Sequence, residues 1–147
     1  MRENEPKLIF SSLAPFYETT SRLWYPLLRF VAGGLLIVPG WQHVHIGAVL
    51  FATSSLGKNG FPQSTSLAYF IIFVEIVGGI CVALGLLTRL FAPACAIQMA
   101  VIAFAVQWPR GFGTPTMFFL LWGVVFFVIS LRGGGPYSVD RVIGTEL

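Results

Sequence analysis

Four long apolar runs organise the chain, at about Pro26 to Phe51, Leu67 to Leu87, Phe91 to Trp108 and Pro115 to Leu131. A helix needs about 20 apolar residues at 1.5 Å each to cross hydrocarbon, and about 17 is a workable minimum. The last two runs lie near that minimum, which predicts upright helices or a thinned interface around them. Pro26, Pro93 and Pro115 each fall in the first turn of a run, where a missing N–H costs least. Thr114 is placed to cap the fourth run. Only Leu87-Thr88-Arg89-Leu90 separates the second run from the third, so those two must form an antiparallel hairpin. Ala52 to Ser66, with Gly57-Lys58-Asn59-Gly60 and Pro62, reads as the one long loop. Pro15 to Tyr25 reads as a short interfacial helix with Leu23 and Trp24 against lipid.

Within the first run, Pro39-Gly40 predicts a kink or break that frees backbone polar groups. Ala92, Ala96 and Ala100 give the third run a small-residue stripe, and Gly79 and Ala83 do the same on the second. Such stripes let backbones approach closely in lipid. The expected fold is therefore all-α, an integral membrane antiparallel four-helix bundle with its first span kinked or broken at Pro39-Gly40. Residues 1–25 form an N-terminal segment, 26–132 the bundle and 133–147 a tail that Gly133-Gly134-Gly135-Pro136 starts abruptly.

Composition narrows the class further. Of 147 residues, 56% are hydrophobic and 10% charged. A soluble domain carries about 25% charged residues, so a disordered chain, a nucleic-acid binder and a conventional soluble enzyme are excluded. The net charge of +3 is too diffuse to signal a polyanion partner. Cys81 and Cys95 make neither a disulfide framework nor a metal knuckle. The first 25 residues mix Glu3, Glu5, Lys7, Glu18 and Arg22 with short apolar clusters, so no cleaved signal peptide is expected. With four spans, Arg2, Lys7, Arg22, Arg29, Arg89, Arg132 and Arg141 share one side, against Lys58 and Arg110 on the other. The positive-inside rule then places both termini in the cytoplasm.

Candidate chemistry lies in the polar residues of the spans. Glu75 interrupts the second run, and a carboxylate at that depth must be protonated, paired or beside water. Gly78 and Gly79 share its helical face, which aims Glu75 into the bundle. Proton transfer and structural hydrogen bonding to another helix are both open to it. In the first run, Gly40, Gln42, His43 and His45 follow the predicted break, and broken helices in lipid line cavities or are covered by protein. His43 lies 14 residues after Arg29 and Glu75 lies 14 before Arg89. With both arginines at one interface, each group sits about 21 Å above it, within reach of the other in the outer half of the bilayer. His43 is the candidate proton acceptor or donor to a carbonyl oxygen. His43 and His45 diverge by about 200° on a helix and cannot share a metal, so no metal site is expected. His45 reads as interfacial.

At the cytoplasmic end, Arg29, Thr88, Arg89 and Asp140 could meet where the third span aims its first N–H groups, which favours an anion, a lipid headgroup or a salt bridge to Asp140. Cys81 and Cys95 read as packing residues that could approach across the hairpin. Gln98 and Gln107 receive no distinct role.

The order Arg29, Gly40-Trp-Gln-His43, Glu75-x-x-Gly78-Gly79, Gly85-x-x-Thr88-Arg89 and Gly133-Gly-Gly135-Pro-Tyr-Ser138-Val-Asp140 resembles the DoxX family of four-span membrane proteins. The similarity runs from about Pro26 to Arg141. It implies a bacterial or archaeal inner-membrane protein in a redox setting, since the family is named for small membrane subunits of thiosulfate:quinone oxidoreductase. Where the family pattern leads one to expect lysine, this chain has His43, so an ion pair to Glu75 depends on histidine protonation. Two functions follow as expectations. In one, the chain is a subunit of a quinone-linked oxidoreductase system. A quinone lies between the first two spans, contacting Gly40, His43, Gly78 and Gly79, while Glu75 passes protons and another subunit supplies electrons. No cofactor motif such as GxGxxG, a cysteine cluster or a haem pair is present, so no covalently bound cofactor is expected. In the other, it is a non-catalytic accessory subunit packed against a larger membrane complex. A four-span transporter is a weaker third expectation, needing a homodimer to build a pathway.

Overall fold

The structure is a computed structural model and describes residues 14–144. Arg2, Lys7 and the side chain of Arg22 lie outside the described residues. Helix α1 spans Ala14–Ile46, α2 Ala48–Phe51, α3 Thr65–Phe73, α4 Gly79–Leu84, α5 Thr88–Val101, α6 Thr114–Arg132 and α7 Val139–Ile143. Wider π-turns at Ala52–Leu56, Val74–Gly78 and Ile102–Gln107 extend α2, join α3 to α4 and extend α5. Among the described residues, four helical stretches have the length and hydropathy of membrane spans: Leu23–Ile46, Thr65–Leu84, Thr88–Arg110 and Thr114–Arg132. They form the expected all-helical membrane bundle.

Several boundaries differ from the sequence expectation. The first span is not broken at Pro39-Gly40, because α1 runs through both to Ile46. Proline removes one hydrogen bond, but lipid offers no substitute for the remaining ones, so the helix keeps them. The interruption comes at Gly47, which adopts a φ of +88°. Pro15–Tyr25 is continuous with the first span rather than a separate helix. Part of the expected long loop is helical, since Ala52–Leu56 continues α2 as a π-turn and packs on α3. The third span extends to 23 residues, Thr88–Arg110, and so does not sit at the minimum length. Gly113, not Thr114, occupies the cap position before α6.

Consecutive spans pack side by side, with α1 on α4 and its π-turn and α5 on α6. The first contact is backbone against backbone. A Cβ added at Gly33 would overlap the Gly79 carbonyl oxygen and stand 2.5 Å from the Ala83 nitrogen. One added at Gly79 would stand 2.8 Å from the Gly33 oxygen. Small residues here replace the hydrophobic drive that lipid removes. The main core joins Tyr25, Ala32, Leu36, Val74, Val82, Ala92, Cys95, Met99, Phe126 and Ile129. A second cluster, built on Phe51, Leu56, Ala68 and Ile72, lies toward the opposite end. The fourth span is the least covered, with 17% of its apolar window buried.

Gly33→Val should therefore lower stability by about 1–3 kcal/mol, because rigid backbone on α4 cannot yield. Gly34→Ala, where an added Cβ meets nothing within 4 Å, should change it by less than about 0.5 kcal/mol. Reversible unfolding in mixed micelles checks the contrast.

Candidate functional site

Two polar centres pin the spans together. The first is built around Glu75, which is 3% exposed and lies on the π-turn Val74–Gly78. Such turns widen a helix locally and are frequent at functional sites. Glu75 Oε2 lies 2.7 Å from His43 Nδ1. Gln98 Nε2 donates to the other oxygen, Oε1, at 2.9 Å. Three spans thus meet on one carboxyl group. Gly40 makes the approach possible, since a Cβ there would stand 2.8 Å from the Glu75 Cβ.

His43 stands three residues before the end of α1, yet its ring reaches Glu75 near the middle of the second span. Helical side chains lean toward the N-terminus, which draws the ring back about one turn. The meeting point is therefore level with the middle of the second span. Phe51 stacks on the imidazole with centroids 4.0 Å apart and planes at 26°. The His43 side chain remains 23% exposed. Among the described residues its hydrogen bonding ends at Glu75, so Nε2 is left open.

Gln98 is the member that sequence reasoning left without a role. Counting depth from Arg89 separates it from Glu75 by five residues, about 7.5 Å. Counting from the helix ends at Leu84 and Thr88 puts the two nearly level. The three-residue connection, not Arg89, sets the hairpin register.

The other candidate residues divide clearly. Gly40 and Gly79 are contact points between the first two spans, and Gly78 lies against Cys95, whose Sγ would be 3.3 Å from an added Cβ. His45 is exposed and meets the Trp41 ring edge-on at 5.1 Å, with no part in the Glu75 centre. Cys81 and Cys95 are buried free thiols. No group of three or more metal-ligating side chains occurs among the described residues.

The second centre closes the end of the bundle that carries the termini. Arg29 is 2% exposed. Its guanidinium donates to the carbonyls of Gly134, Tyr137 at 3.2 Å and Leu84 at 3.5 Å. Tyr25 donates to the Gly133 carbonyl beside it. Gly85 is required here twice, by its φ of +73° and because a Cβ would stand 2.5 Å from the Arg29 guanidinium carbon. Asp140 accepts from Leu87 N at 2.6 Å, Thr88 N at 3.1 Å and Thr88 Oγ1 at 3.1 Å. The anion at the start of the third span is thus the chain's own carboxylate, well placed at a helix N-terminus. It also holds Leu87 in a left-handed conformation, φ +47°, that branched side chains rarely adopt. Arg89, the next residue after Thr88, is exposed.

Asp140→Ala should leave the part-buried Leu87 N–H, the buried Thr88 N–H and the Thr88 hydroxyl without their acceptor, lowering stability by roughly 1–3 kcal/mol. Tail release should accompany it, read as faster proteolysis after residue 133 together with a lower Tm.

Comparison with known proteins bears on the whole chain. A search of curated proteins and of solved structures finds no match. The DoxX family model matches residues 25–108, which contain Arg29, His43, Glu75, Thr88 and Gln98. With more than half its length covered, this multi-pass membrane protein belongs to the DoxX family.

Proposed function

We propose that this chain is the membrane-embedded subunit of a quinone-linked oxidoreductase system, with His43 and Glu75 as its proton-handling pair and electrons supplied by a partner subunit. The observation that carries this reading is the 2.7 Å contact between His43 Nδ1 and Glu75 Oε2, with Nε2 left open. A quinone supplies the electron-accepting chemistry, taking up two electrons and two protons on reduction. His43 would hold one of its oxygens at Nε2, as donor or acceptor according to the proton state of the ring. A proton gained or lost at Nε2 changes the demand at Nδ1, where Glu75 Oε2 shares the second proton. Gln98 keeps Oε1 bonded in either state. Gly40 and Gly79 are filled by the opposing helix, which supports a quinone at the open edge of His43 rather than between the first two spans.

Glu75→Gln and His43→Ala should each abolish quinone-dependent turnover in membranes while the protein still assembles, a loss of at least about a hundredfold for a general acid–base group. Unchanged turnover in either variant would reject the site.

A second reading rests on a different observation. The fourth span is the least buried, and an apolar groove of about 330 Å³ runs between Ala96, Ala100 and Phe104 on one side and Phe119, Gly123 and Phe127 on the other. A groove of small and aromatic residues suits a helix of a larger complex, in which this chain is a non-catalytic accessory subunit. Native mass spectrometry of gently extracted membranes separates the two. The first reading expects a stoichiometric quinone with a redox partner; the second expects a fixed place in a complex with no small molecule on this chain.

The charge asymmetry supports a cytoplasmic tail side, and the family resemblance supports a bacterial or archaeal inner membrane. A Lys58→Cys variant should react with a membrane-impermeant maleimide on intact cells, and a Tyr137→Cys variant only after lysis. The native cysteines stay silent because both are buried. The reverse pattern would invert the topology.

A further inference from the structure

The segment after the first span has features that the bundle does not require. It departs from α1 through Gly47, whose φ is +88° and whose added Cβ would meet nothing within 4 Å. That glycine therefore serves the direction of the backbone and not close packing. Beyond it, Ala48–Leu56 packs on α3 through its own apolar cluster with Ala68 and Ile72, separate from the main core. The helix there is loosened. Ala52–Leu56 is a π-turn, and the hydroxyls of Thr53 and Ser54 bond back to carbonyls of Val49 and Leu50. Back-bonding of this kind slightly destabilises a helix. A segment with a glycine joint, a satellite core and a softened helix belongs to the low-stability part of a fold.

What this segment lays on the polar centre is one flat ring. Phe51 covers a face of the His43 imidazole at 4.0 Å and 26°. The same imidazole has Nδ1 committed to Glu75 and Nε2 uncommitted. A stacked, apolar, planar group beside an open ring nitrogen describes half of a binding site, with the chain's own phenyl ring in the planar half.

We propose that Ala48–Leu56 is a cover hinged at Gly47, and that Phe51 occupies the place of a flat, mainly apolar ligand carrying a hydrogen-bonding oxygen. When the cover lifts, that ligand stacks on the His43 imidazole and bonds to Nε2. The ligand half of this inference rests on the quinone reading above; the cover does not. The seat selects by shape and polarity. Phe51 is nearly fully buried in a cluster that α3 completes with Ala68 and Ile72, apolar walls that stay behind when the cover lifts, accept a ring and offer a charged group no partner.

The test uses the full-length protein in lipid nanodiscs and diethyl pyrocarbonate, which acylates unprotonated imidazole nitrogen. Peptide mass spectrometry reads His43 and His45 separately, so the exposed His45 is an internal reference. Phe51→Ala should raise the His43 rate about tenfold, the order set by losing one stacked aromatic contact, with His45 unchanged. Phe51→Leu keeps the apolar volume without the flat face and should shift the rate in the same direction. A short-chain benzoquinone should protect His43 but not His45, at lower concentration in Phe51→Ala than in the wild type. An unchanged His43 rate in both variants overturns the cover, as does a parallel rise at His43 and His45, which reports general loosening. Protection of the wild type with no gain in Phe51→Ala supports the quinone reading and overturns the cover. Exposure of His43 in both variants without protection by benzoquinone supports the cover and overturns the ligand assignment together with the quinone reading.

Discussion

A carboxyl group in the middle of a bilayer must be answered by protein, because hydrocarbon forms no hydrogen bonds and an unpartnered charge there is costly. Glu75 imposes that demand, and the arrangement of three spans follows from meeting it. His43 on the first span and Gln98 on the third each take one of its oxygens. Those bonds require the helices to be close, and closeness requires Gly33, Gly40 and Gly79, where any side chain would strike backbone or Glu75 itself. The glycines and the carboxyl group therefore form one device. Neither has a full explanation without the other, since small residues alone would allow many registers and the polar contacts select one.

The same logic operates at the end of the bundle near the termini. Arg29 is buried and answered by three carbonyls, while Asp140 is buried and answers the first N–H groups of the third span. Both partners come largely from the tail after Gly133, so a segment outside the spans completes the polar bonding of residues inside them. The fourth span, little buried itself, is tied to the first mainly through this closure and through Tyr25 against Ile129 and Gly133. The two centres differ in what they leave open. The Arg29 centre is buried and turns its charged groups on carbonyls and amides of the chain, with Arg29 Nε alone left unbonded among the described residues, whereas the Glu75 centre ends in a histidine that is partly exposed and whose Nε2 has no hydrogen bond among the described residues. That contrast is why chemistry is sought at His43 and a structural role at Arg29.

Four spans, their antiparallel order and the functional weight of Glu75 were legible in the chain because length, hydropathy and a lone acid in lipid are local properties. The pairing of His43 with Glu75 was legible too, since each lies 14 residues from an arginine expected at the same interface. Gln98 was missed because depth was counted from Arg89, which is exposed and lies inside α5, rather than from the helix ends that the short connection defines. The break expected at Pro39-Gly40 moved to Gly47 because a proline inside lipid loses one bond, whereas a residue at positive φ redirects the whole backbone.

Sequence alone thus determined that the chain is helical, crosses a membrane, and carries polar groups that need partners there. Hydrophobic length and the cost of burying charge act on each segment separately, so they can be read without knowing its neighbours. Which partners those groups find is decided by register between helices, and register depends on contacts between residues distant in the chain. Only the tertiary structure supplied the tail carbonyl of Tyr137 on Arg29, the Gln98 bond to Glu75 and the ring of Phe51 over His43. Each joins segments whose relative position is set by packing, which no local pattern encodes.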